Sequence, residues 1–257
     1  MISGLGELVT DTQDLLWMGF VVFLRISAIA ALLPGFGERT VPTRIKLVMG
    51  LAFTLIVAPA ISPNVGEIRF EKMLAFALTE TLIGLALGIG IRLFILALQT
   101  AGSIAAQATS LSQILGGAVA DPMPAMGYIL LVGGLALAMI SGLHVKAAMF
   151  MILSYEIFPI GVVLGAAPMS QWGIAQIAQA FSLAFTLAAP FLLLSVLYNI
   201  ALGAINKAMP QLMVAFVGAP LITAGGLFVL LLASPVILDV WLDALDHFLA
   251  NPLRQPR

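Results

Sequence analysis

The chain has no cysteine in 257 residues, which excludes disulfides, thiolate metal sites and thiol nucleophiles. Charge is nearly as scarce. Lys, Arg, Asp and Glu together make up 9% of the sequence, against about 25% in a typical soluble domain. The formal net charge is −1, so nothing points to nucleic acid or to acidic lipid as a partner. Lys and Arg are absent altogether from Leu93 to Val145. The N-terminal stretch carries Glu7, Asp11 and Asp14 without a basic region. It lacks the pattern of a cleavable signal, and the first apolar run is expected to persist in the mature protein.

What fills the chain instead is apolar sequence. Hydrophobic residues make up 61% and the mean hydropathy is +1.13, values of an integral membrane protein or part of one. Apolar runs at 15–33, 47–62, 73–100, 127–143, 145–165, 174–204 and 211–238 are predicted to be helical. They match a bilayer poorly, since a span needs about 20 residues. The run 47–62 is short and is bounded by Pro59 and Pro63. The run 174–204 would reach roughly 46 Å, with Pro190 expected to kink it. After these runs, Asp239, Asp243 and Asp246 share one face, and Trp241, Leu245 and Phe248 another. That predicts a short amphipathic helix at an interface.

Arg25, Glu80, Arg92, Lys146 and Glu156 lie inside the runs, where a charge facing lipid is costly. Glu80 and Arg92 stand about 120° and about 18 Å apart on one helix and cannot pair. Each such charge therefore needs a partner on another helix or subunit, or a watery cavity. Basic residues Arg39, Arg44 and Lys46 place the 34–46 loop on the cytoplasmic side; topology after Lys146 is left open.

Catalytic patterns are missing. His144 has no carboxylate at metal-binding spacing, so a capping or packing role at a helix break is expected. Ser141, Ser154 and Ser195 lie in no nucleophile elbow. The stretch "GGLALAMISG" is no phosphate loop, since no strand precedes it and no Lys-Ser/Thr follows. Gly84 and Gly88 form a small-residue face suited to close helix packing.

The most unusual stretch is "SLSQILGGAVADPMPAM", residues 110–126. It is too polar and broken to span a membrane, yet has no basic residue to anchor it at a surface. Asp121 followed by Pro122 reads as a helix N-cap and first turn. Loops of this length without secondary structure are usually functional or disordered, and the composition is not that of a disordered segment. From the residues alone, two classes remain. One is a conduit subunit; the other is a small-solute secondary transporter with a broken-helix binding site.

Four stretches then carry a resemblance. "LLPGFGERTVPTRIKLVMGLAFTLIVAP" (32–59), "TAGSIAAQATSLSQ" with Asp121-Pro122, "GLHVKAAMFMILSYEIFPIG" (142–161) and "NKAMPQLMVAFVGAPL" (206–221) stand in order along the chain. Together they resemble the FliR family of flagellar biosynthesis proteins and its type III secretion counterparts. That resemblance implies an all-α fold of membrane-type helical hairpins, part of a right-handed helical export-gate assembly. It implies no enzyme activity, no cofactor and no metal.

The resemblance further implies a FliP-like helical portion over 1–170 and a FliQ-like hairpin with an amphipathic tail over 171–257. Expected partners are FliP-like and FliQ-like subunits, FlhB-like and FlhA-like export proteins, unfolded protein substrates and the membrane, with no nucleic acid. The expected location is the bacterial inner membrane at the flagellar basal body. Residues 110–126 stand where the family places a pore plug, with Leu111, Ile114, Leu115 and Met123 as its seal. Gly116 and Gly117 would supply backbone freedom, and Asp121 and Pro122 the base. This stretch is richer in Gly and Ala than the aromatic-bearing plugs of relatives. Expected subunit contacts are Glu38, Arg39, Arg44, Lys46, Glu80, Arg92, Lys146 and Glu156.

Overall fold

The computed structural model describes residues 2–38, 40–61, 73–110, 125–163, 165–209 and 214–253. Among these the chain is all helical, without a strand: α1 (Ile2–Leu32), α2 (Thr43–Ile61), α3 (Met73–Ser110), α4 (Ala125–Ile140), α5 (Leu143–Ile157), α6 (Ala166–Ala208) and α7 (Val214–Ala250). Each apolar run holds a helix; α5 stops at Ile157, short of the end of its run, whereas several other helices outrun their apolar stretch. α3 continues through "AGSIAAQATS" (101–110), and these largely Ala, Gln and Ser residues sustain a helix without hydrophobicity. The acidic tail is likewise no separate element: α7 continues through it to Ala250. The faces are as the pattern requires, with Trp241, Leu245 and Phe248 buried and Asp239 and Asp243 exposed.

Turn chemistry sets the other ends. After α1 the chain turns through Gly35 at φ 79°, and the Gly37 N–H donates to the Leu33 carbonyl at 2.7 Å. The Pro42 carbonyl accepts from the Ile45 and Lys46 N–H groups to open α2. Gly142 opens α5 in the left-handed region, φ 83° and ψ 35°, with no side-chain cap. His144 is exposed and is not the cap. α5 closes at Phe158, φ −126° and ψ 86°, the non-helical backbone that the following Pro159 favours. Pro59, Pro190, Pro220 and Pro235 lie inside helices without ending them.

The described chain forms two compact units. The first comprises Met1–Arg92, Ser141–Gln176 and Asp246–Arg257. In it α1 and α3 run parallel, in contact at two glycines. A Cβ on Gly84 would stand 2.5 Å from the Arg25 carbonyl oxygen and 2.9 Å from the Ala28 Cβ, and one on Gly88 would meet Leu32 at 2.8 Å. Val22, Ile26, Ile29, Ile83, Leu87 and Ile91 are buried along these helices.

The second unit comprises Leu93–Ile140 and Ile177–Leu245. Here Gly102 of α3 and Gly127 of α4 meet with no room for a side chain on Gly102. Trp241 is fully buried, and its indole N–H donates to the Phe94 carbonyl at 2.8 Å.

Among the described residues, four helices are long and apolar enough to cross a membrane: Thr43–Ile61, Met73–Thr109, Ala166–Ala208 and Pro220–Ala250. The broken pair α4 and α5 makes a fifth if it counts as one span. α6, at 43 residues, extends roughly 64 Å, about twice the ~30 Å of a hydrocarbon core.

Candidate functional site

Four of the five charges inside the apolar runs, all but Glu156, find partners inside the first unit. Arg25 and Glu80 are both wholly buried and meet at 2.7 Å through Nε and Oε2. Arg25 Nη1 also donates to the Ser154 and Phe158 carbonyls, at 2.9 and 2.8 Å. The guanidinium lies 3.9 Å from the centre of the Tyr155 ring, a cation–π contact that gains strength when desolvated. Glu80 Oε1 accepts from the Gly161 N–H at 3.1 Å. One ion pair thus ties α1 and α3 to the turn after α5. Gly161 has φ 79° and a Cβ there would strike Phe76, so glycine is required on two counts.

A second pair closes the same α1–α3 seam thirteen residues further along the chain from Arg25, at Glu38. Arg92 donates to both Glu38 carboxylate oxygens, at 2.6 and 3.3 Å, the bidentate geometry that fixes orientation as well as distance. Beside it Lys46 Nζ donates to the Gly37 carbonyl at 2.9 Å. The third pair joins Lys146 to Asp246 at 2.7 Å, and Lys146 also donates to Ser141 Oγ at 3.3 Å. Sequence reasoning left Arg25 out of the candidate site and put Asp246 on an outer acidic face. Nothing local marks either pairing, since the partners stand 55 and 100 residues apart.

Two of the remaining expected contact residues are described, and neither is in such a pair. Arg44 and Glu156 are exposed, with no ion pair or hydrogen bond among the described residues. Arg39 lies outside the described residues. So do Leu111, Ile114, Leu115, Gly116, Gly117, Asp121, Pro122 and Met123.

The structure does describe where that loop begins and ends. Thr109, in the last turn of α3, bonds back to the Ala105 and Ala106 carbonyls, each at 3.1 Å. Its hydroxyl lies 4.0 Å from the Met126 sulfur at the start of α4. Gly226 of α7 packs against both, with no space for a Cβ beside Thr109. The last turn of α3 and the start of α4 therefore meet at one packed point. No group of three or more His, Asp or Glu among the described residues is placed to hold a metal.

The helical order extends through nearly all the described residues, and the chain's likeness to known proteins is as long. A family profile described as bacterial export proteins, family 1, matches residues 16–248. The flagellar biosynthetic protein FliR of Caulobacter vibrioides is 33% identical over 231 residues, covering 88% of this chain and 92% of that protein. FliR of Escherichia coli is 29% identical over 240 residues, covering 89% of each. FliR of Bacillus subtilis is 28% identical over 235 residues, covering 88% and 90%. With a match of this length, the chain belongs to the FliR family of bacterial export proteins.

Proposed function

We propose that this chain is a core structural subunit of the flagellar protein-export gate in the bacterial inner membrane, at the basal body. In this reading it lines and plugs the pore through which unfolded flagellar proteins pass. The observation that carries it is the family match over residues 16–248. The chain assembles with FliP-like and FliQ-like subunits into a right-handed helical gate, near FlhB-like and FlhA-like export proteins. Its portion 1–170 takes a FliP-like place and 171–257 a FliQ-like one. Residues 110–126 form the plug, and the exposed Arg44 and Glu156 contact neighbours. The chain carries no chemistry of its own, and export energy comes from partners.

A long, mostly exposed apolar helix such as α6 supports the reading, because it extends beyond what a bilayer covers and leaves surface for other subunits. Co-expression with FliP-like and FliQ-like proteins, followed by native mass measurement, tests it. A gate subunit should be recovered as a defined hetero-oligomer. Recovery as a solute-binding monomer or symmetric dimer would favour the small-solute transporter instead.

A further inference from the structure

Glu156, a carboxylate of the first unit, is unpaired among the described residues, and its surroundings define what it takes. Glu156 is the penultimate residue of α5, exposed, with no hydrogen bond or ion pair among the described residues. It lines a cleft of about 240 Å³ with Ala60, Ile61, Ile152, Tyr155 and Ile160. Two helices end there, α2 at Ile61 and α5 at Ile157, and neither has a basic residue in its last turn. Helix C-termini carry partial negative charge, so an acid is out of place at such an end. Violations of local rules of this kind mark functional positions. The buried cation behind the cleft, Arg25, is already committed to Glu80 and to two backbone carbonyls.

The cleft is thus electronegative at its mouth and apolar on its walls. Around it Leu55, Ile56 and Met149 are exposed, as at an interface whose centre is polar and whose surroundings are dry. Building on the export-gate reading, we propose that this cleft receives a basic side chain from a neighbouring subunit, which pairs with Glu156 as the subunits close. Arginine suits it best, because its guanidinium is weakly hydrated and planar and stacks on aromatic faces. A zwitterionic phospholipid fits less well, since its ammonium arrives with a phosphate that Glu156 and the helix ends repel. The chain's own residues 62–72 carry Glu67 and Glu71 beside Arg69 and Lys72, and so bring no net positive charge.

The lack of cysteine makes a direct test simple. An Ile160→Cys chain, co-expressed with the FliP-like and FliQ-like subunits, is labelled with a photoactivatable thiol reagent, crosslinked and digested for mass spectrometry. The expected adduct is a partner-subunit peptide containing Arg or Lys at the crosslink. In parallel, Glu156→Gln should lower the yield of intact complex by about tenfold or more, as expected for loss of one member of a desolvated pair. Its own melting temperature should not change, because Glu156 has no partner among the described residues of the chain. Glu156→Arg combined with an acidic replacement of the crosslinked basic residue should restore the yield. Crosslinks only to lipid or to residues 62–72, or wild-type yield for Glu156→Gln, would overturn the cation site and leave the gate reading intact. Failure of the wild-type chain to assemble at all would overturn both.

Discussion

Glu80 sits among apolar side chains with no access to solvent, and among the described residues its charge is balanced by Arg25 alone. Replacing one partner of a buried pair leaves the other uncompensated, at a cost of about 3–5 kcal/mol. Glu80→Leu should therefore destabilise the isolated chain itself, and not only its assembly with others. Thermal unfolding of the purified variant in detergent checks this; an unchanged midpoint would place the role of the pair at a subunit boundary. Arg25→Lys should also be poorly tolerated, because one ammonium cannot reproduce the fork that reaches Glu80, Ser154 and Phe158. At this scale the sequence announces the need but not the answer. A charge inside an apolar run demands a partner, and the rule holds for Arg25, Glu80, Arg92 and Lys146. Which residue satisfies it depends on how distant helices register, information that no local spacing carries. Glu156 shows the converse: its exposure at a helix end is visible only once the ends of α2 and α5 are seen to share a cleft.

Helix positions were legible because long apolar runs in so uncharged a chain have few alternatives, and all seven runs hold helices. Their ends were less so. A run stops at its first polar residues, whereas a helix stops where backbone geometry forces it, as at Gly35, Gly142 and Phe158-Pro159. The glycines inside helices divide by what surrounds them, and that division is testable. Gly84 is the close-packed floor on which α1 lies, so Gly84→Ala must push Arg25 away from Glu80. Overpacking of this kind costs typically about 1–3 kcal/mol. Gly203, in α6, has nothing within 4 Å of a Cβ, so Gly203→Ala should stabilise by up to about 1 kcal/mol through helix propensity alone. Opposite shifts in melting temperature for the two variants would support this contrast. Destabilisation by Gly203→Ala would mean that its open face is filled in the folded protein.

For the molecule as a whole, the segment 110–126 matters most, and it divides what the sequence tells from what it cannot. Its broken composition, with Asp121 its one charge, singles it out between apolar helices, and the family resemblance offers it a task. The residues expected to form its seal lie outside the described residues, whereas the helix ends that frame it are described. Thr109 and Met126 are in contact and backed by Gly226. A shorter loop can therefore close the same gap, and the entropy of closure changes only slowly with length. Deleting residues 112–119 should thus spare the helices and the assembly while removing Ile114 and Leu115. A narrow apolar constriction excludes ions by dewetting, and without those side chains the idle gate should conduct. Cells expressing assembled gates with the deletion should become permeable to small ions and solutes, whereas the intact chain should hold them out. Gly117→Glu, which puts a charge at the same level, should hinder export by wetting or jamming the seal. The deciding comparison is permeability at matched complex yield. Equal permeability with and without residues 112–119 would mean that the barrier to ions is made elsewhere in the gate and that this segment only connects α3 to α4.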